Sequence, residues 1–141
     1  NLPSRARRVV HTGDIIISSI EGSLQSCAII TEEYDGALCS TGFYVLSPRS
    51  INSETSLVLF KSSAIQALLK RACTVTAMNK DEFTAINLPV INKDIQNKIA
   101  DVIRQSTILH SKSKHLLKIT KTAVEIAIEQ GEAAAIKLLD I

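Results

Sequence analysis

From Lys93 to Gln130 the chain keeps helical apolar spacing with no proline or glycine to interrupt it. A helix of that length would extend about 55–60 Å at 1.5 Å per residue. Ile95, Val102, Leu109, Leu116 and Ala123 recur at a strict seven-residue interval. Ile119 and Ile126 add the complementary heptad positions in the second half. In the first half those positions hold Lys98, Gln105 and Lys112, while Ile99, Ile103 and Ile108 widen the stripe sideways. The pattern is too ragged for a two-stranded coiled coil standing alone. A stripe this long also cannot be hidden against a small globular body, so it calls for another helix, from the parent chain or from a second chain. Gly131 ends the segment as a C′ residue, and Glu132–Leu139 reads as a short helix folding back.

The residues before it have a different period. Arg7–His11 reads as a strand entering the turn Thr12-Gly13-Asp14. Asp14–Ile20, with its Ile15-Ile16-Ile17 centre, has the β-branched, turn-bounded pattern of a strand buried on both faces. Glu21-Gly22-Ser23 makes a turn, and Gln25–Thr31 a return strand. Glu32–Gly36 is a polar loop. Ala37–Leu46 is a further β segment, interrupted at Gly42 by a bulge or close backbone approach. Leu57, Phe60, Ala64 and Leu68 then recur at helical spacing, with Ser53 as N-cap and Lys70-Arg71 in the last turn. Cys73–Met78 reads as strand or loop, Asp81-Glu82 as one helical turn, and Phe83–Val90 as a final strand.

Composition excludes several classes. Of the 141 residues, 45% are apolar but only 4% aromatic, so the core is aliphatic. No apolar run approaches the length of a membrane span, and no signal peptide is visible. A start without Met reads as a piece of a longer product or as a processed end. Cys27, Cys39 and Cys73 are odd in number and lack the paired spacing of a zinc site, which fits buried reduced thiols in a cytoplasmic protein. No nucleophile, phosphate-loop or metalloprotease motif occurs. His110 and His115 are five apart on the long segment, and so on different helix faces.

The net charge of +2 conceals segregation. Arg5, Arg7 and Arg8 precede a hairpin whose turn carries Ser18, Ser19, Ser23, Gln25 and Ser26. Arginines hold phosphates, and Ser and Gln side chains can donate and accept at base edges. An ordinary polar hairpin beside a basic terminus accounts for the same residues. Lys112, Lys114, Lys118 and Lys121 serve helix solubility equally well, or face an acidic partner or a DNA flank.

Three stretches resemble, in order, the DNA specificity subunits of type I restriction–modification systems. Leu2-Pro3-Ser4-Arg5-Ala6-Arg7-Arg8 followed by Gly13-Asp14-Ile15-Ile16 is similar to the segment entering that family's Gly-Asp-hydrophobic strand. Ser40-Thr41-Gly42-Phe43-Tyr44-Val45-Leu46 resembles its Ser-Thr-Gly-Phe strand. Ile86-Asn87-Leu88-Pro89 with Gln96 and Ile99 resembles the entry to its conserved helix. The chain departs from the family at Arg71–Thr76, where a glycine is customary, and in lacking the segment that usually precedes Leu2-Pro3.

The resemblance implies an α+β fold. A small mixed or antiparallel β-rich head with one packed helix, a truncated target-recognition domain, would fill residues 1–91. A long protruding spacer helix would follow at 92–131, then a short helix or tail at 132–141. It implies a bacterial, cytoplasmic, non-catalytic module that reads double-stranded DNA and sets half-site spacing. Methyltransferase (modification) and restriction subunits would assemble on it and use S-adenosylmethionine, ATP and Mg, while this chain binds no cofactor. Half-sized members pair through the helix as homodimers. Phosphate anchors are then expected at Arg5, Arg7, Arg8 and Lys80, and base contacts at Ser18, Ser19, Ser23, Gln25, Thr74 and Thr76. Helix packing falls to Ile95, Val102, Leu109, Leu116, Ile119 and Ile126. Two rival readings stay open: a protein-interaction adaptor dimerised by its helix, and a hydrolase or transferase fragment completed by a missing N-terminal part.

Overall fold

The computed structural model describes residues 5–139. The opening Leu2-Pro3-Ser4 of the first motif lies outside the described residues. The described part divides into two compact units meeting between Ala100 and Asp101.

In the first unit, β2 (Ile15–Ser18) is the central strand of a three-stranded antiparallel sheet, between β3 (Cys27–Ile29) and β5 (Phe43–Leu46). Ile15 pairs with Ile29 and Leu46, and Ile17 with Cys27 and Tyr44. Residues directly opposite one another share a face, so these six side chains form the inner surface. Ile15 and Ile17 are fully buried there and Ile16 is half-buried, so one face of the strand is closed and the other partly open. The expected hairpin of β2 and β3 is present, with shorter strands than the residue pattern implies. A second antiparallel pair joins β1 (Ala6–Val9) to β4 (Leu38–Ser40). The segment 37–46 therefore divides between two sheets, and the break falls at Thr41-Gly42.

The single helix expected after Ser53 is two helices, α1 (Ser53–Lys61) and α2 (Ser63–Arg71). The cap of α1 is Asn52, whose side chain accepts from the Thr55 amide; Ser53 is already inside the helix and donates to the Gly13 carbonyl. Ser62 takes an extended conformation and caps α2 through the Ile65 amide. Its hydroxyl offers the backbone an alternative to continuing the helix. α1 packs on β2, β3 and α2, and Phe60, Ile65 and Leu69 join Ile15, Ile17, Leu24, Met78 and Phe83 in one core.

The strand expected at Phe83–Val90 is absent. Asn79 accepts from the amides of Asp81 and Glu82 and starts a one-turn helix, α3 (Lys80–Thr84). That cap turns Phe83 into the core, stacked on Tyr44 at 4.6 Å, and residues 86–92 are irregular. The loop lacking the family's glycine closes through a Cys73–Met78 bridge. Among the described residues no non-glycine has a positive φ, so ordinary backbone angles suffice there.

The long helix α4 runs from Lys93 to Gln130, the bounds its spacing predicts. Its first turns belong to the first unit. Asn92 caps the Asp94 amide, and Gln96 and Ala100 are buried. In the second unit α5 (Glu132–Leu139) follows Gly131, whose φ of 92° supplies the left-handed turn. Ala123 and Ala135 are buried, and Ile119, Ile126, Ala127 and Leu138 half-buried.

Cys27 is buried, whereas Cys39 and Cys73 are half-buried, short of the burial expected for all three. Burial, opposed by Lys61, raises the Cys27 thiol to about 11. The folded value lies above the unfolded one, so this thiol leaves stability unaffected below the ordinary thiol range. It costs stability as pH rises toward 11. At pH 8 iodoacetamide is expected to modify Cys27 only at the rate of unfolding, followed by peptide mass spectrometry. Labelling as fast as in urea would contradict this burial.

Candidate functional site

The β2–β3 connection is the most elaborately built turn of the first unit. Ser18 is 2% exposed. Its hydroxyl bonds Ser23 Oγ at 2.7 Å and accepts from the Ile20 amide at 3.2 Å. The Ser23 amide donates to the Ile20 carbonyl, the Ser26 amide to Ser23, and the Ser18 amide to Ser26. Leu24 anchors the turn in the core, which leaves Glu21, Gln25 and Ser26 exposed. Ser19 is likewise committed inward, since its amide and hydroxyl both donate to the Gly42 carbonyl at 2.9 Å. Ser18 and Ser19, expected at base edges, therefore have hydroxyls spent on holding the turn.

The facing wall comes from α2. Gln66 Nε2 donates to the carbonyls of Leu24 and Phe60, at 3.2 and 2.6 Å. Both partners are acceptors, so the amide nitrogen must face them. Glu21, Ser23, Gln25 and Ser26 on the turn and Gln66 and Lys70 on α2 then line a groove of about 720 Å³. The loop carrying Thr74 and Thr76 lies beside it: the Glu21 amide donates to the Thr76 carbonyl, and the Met78 amide to Ser19. Both threonines are exposed, with Thr74 Oγ1 donating to Ala77.

The basic residues form a separate edge. The β1–β4 pairing is irregular at Arg7, which is exposed, whereas Arg8 is half-buried; Arg5, just before the strand, is also exposed. The Arg8 guanidinium donates to the Phe43 carbonyl and sits 5.9 Å from the centre of the Tyr44 ring. Arg8 and Lys80 come together in a cleft of about 430 Å³ floored by Tyr44 and Phe83. None of the three arginines lines the groove at the Ser/Gln turn. Of the expected site residues, Ser23 and Gln25 are gathered in one place and Arg8 and Lys80 in another. Glu21, Gln66 and Lys70 are absent from the expectation, although an i, i+4 pair of polar residues on α2 was a signal available for the last two.

Ile95, on the first-unit part of α4, is exposed. In the second unit Val102, Leu109 and Leu116 are each more than half exposed, whereas Ile119 and Ile126 are half-buried. His11 Nδ1 is 3.6 Å from Asp35, whose carboxyl is held below its ordinary value chiefly by the Thr12 amide. Among the described residues no group of three His, Cys, Asp or Glu is placed to hold a metal, and no helix is long and apolar enough to cross a membrane.

The chain belongs to the type I restriction modification DNA specificity domain family, whose model matches residues 5–121. Two solved structures are similar in fold. One is described under "Structural basis underlying complex assembly and conformational transition of the type I R-M system". It is 21% identical with a TM-score of 0.60, over 96% of this chain and 36% of that one. The other is the HsdS subunit from Thermoanaerobacter tengcongensis, 22% identical with a TM-score of 0.62, over 89% of this chain and 34% of that one. The chain thus spans about a third of the length of either. No curated protein matches it.

Proposed function

We propose that the chain is a non-catalytic DNA-recognition element of a type I restriction–modification specificity subunit. Residues 1–91 read one half of a double-stranded target, 92–131 form the spacer helix, and 132–141 are a short C-terminal helix or tail. The observation that carries this reading is the family match over residues 5–121, which takes in both the polar turn and most of α4. The other lines of the proposal follow from it. Cytoplasmic modification and restriction subunits assemble on the subunit and carry the S-adenosylmethionine-, ATP- and Mg-dependent chemistry. The exposed Val102, Leu109 and Leu116 pack on a further helix, supplied by the parent subunit or by a second copy.

Arg5, Arg7, Arg8 and Lys80 are the phosphate anchors, with Gln25 at base edges, Thr74 and Thr76 beside it, and Ser23, whose hydroxyl is bonded to Ser18 and Ile20, shaping the turn. Arg8 has a second task, tying β1 to β5 through Phe43. In the assembled complex, replacing Arg5 and Arg7 together by Ala is expected to weaken binding on every duplex. The slope of log K against log salt should fall by about 2, from roughly 0.9 per phosphate contact. Fluorescence anisotropy between 50 and 200 mM salt measures it. An unchanged slope would remove the arginines from the interface. The adaptor reading predicts no DNA binding by the complex at any salt.

A further inference from the structure

The groove between the β2–β3 turn and α2 has a charge arrangement unlike that of the basic edge. Its lining carries one carboxylate, Glu21, on the turn and one ammonium, Lys70, near the end of α2, with Ser23, Gln25 and Ser26 between. A surface that only tracked the DNA backbone would carry cations alone, because a carboxylate there repels phosphate. A surface that reads bases needs acceptors as well: the amino groups of adenine and cytosine donate in the major groove, while guanine offers acceptors only. Glu21, Gln25 and Ser26 are exposed, and the turn that presents them is closed by internal hydrogen bonds. Their positions are thus set before any ligand arrives, which lowers the ordering cost of binding.

Resting on the proposed reading, we infer that this groove is where base edges are read. Glu21 accepts a hydrogen bond from an adenine or cytosine amino group in the major groove, and Lys70 holds a flanking phosphate from the α2 wall. The two residues then differ in what they contribute. Lys70 adds affinity on every sequence, with a dependence on salt. Glu21 adds discrimination at one base pair and, being an anion, no favourable salt-dependent attraction.

The test uses the assembled complex and a duplex library randomised over the target, selected first with the unaltered protein. Failure to enrich any sequence would overturn the proposed function itself. Given an enriched duplex, Lys70→Ala is expected to lower the salt slope by about 1 and to weaken enriched and scrambled duplexes alike. Glu21→Ala removes the acceptor and is expected to relax the selected consensus at one position by about tenfold, with the salt slope of the specific complex held. Both side chains are exposed, so the melting temperature serves as a check that the fold is intact. Two results would overturn the inference while leaving the broader reading in place. One is an unchanged salt slope for Lys70→Ala. The other is uniform tightening by Glu21→Ala on all duplexes, the mark of a carboxylate that merely repels the backbone.

Discussion

Replacing Gln96 by Ala is expected to cost the first unit about 2–4 kcal/mol in urea unfolding. Few side chains here are as completely used. Gln96 is 3% exposed; its Oε1 accepts from the Asn52 amide at 3.0 Å and its Nε2 donates to the Ile91 carbonyl at 2.8 Å. Truncation strands a half-buried N–H and a carbonyl, each worth about 1–3 kcal/mol when left unpaired, and opens a cavity. Asn52 completes the clasp by capping α1 and donating from Nδ2 to the Gln96 carbonyl. A double-mutant cycle with Asn52→Ala is expected to show coupling above about 0.5 kcal/mol. Gln96→Glu separates hydrogen bonding from volume. A carboxylate still accepts from Asn52, but it sets an anion against the Ile91 carbonyl. That raises the folded pKa of the glutamate, so this variant is expected to gain stability as pH falls and to lose it as pH rises through the folded value. A cost below about 0.5 kcal/mol for Gln96→Ala, or no pH trend for Gln96→Glu, would mean that water replaces the clasp.

What could be read from the residues alone follows the range over which each signal acts. α4 matched its expected bounds because its cues are local: an asparagine cap, an uninterrupted apolar period and a glycine stop. β2 was legible for the same reason, as three successive isoleucines between turns admit few alternatives. The break at Ser62 was missed because Leu57, Phe60, Ala64 and Leu68 keep helical spacing across it. In the structure the burial falls instead on Phe60, Ile65 and Leu69, and Ala64 is exposed. The Ser62-Ser63 doublet was the available warning, since serine competes for backbone amides. Phe83 was misassigned because an alternating strand and a single helical turn look alike over so few residues; Asn79 before Asp81 and Glu82 carried the decisive capping signal. For the site, polarity alone put Ser18 at the surface, whereas its hydroxyl is satisfied inside the turn. The groove itself depends on α2 lying beside residues some forty positions earlier, and no local pattern encodes that contact.

Leu69→Ala is expected to destabilise the first unit by about 2–5 kcal/mol, the range for truncating a fully buried leucine. Leu69 is 0% exposed and lies in the core with Ile17, Phe60 and Ile65. The nine residues of α2 are too few to hold a helix in water by themselves, so its place depends on what Leu69 and Ile65 bury. Lys70 is the next residue along and Gln66 lies one turn earlier, so the same cavity loosens the wall that faces the β2–β3 turn. Amide hydrogen exchange should therefore rise across residues 65–72 more than in β2, whose partners on both sides are untouched. Leu69→Met nearly conserves volume and is expected to cost less than about 1.5 kcal/mol while keeping the exchange pattern. If Leu69→Ala cost under about 1 kcal/mol, or raised exchange equally in β2 and α2, the helix would not be seated by this residue. The groove would then owe its form to the Gln66 hydrogen bonds alone.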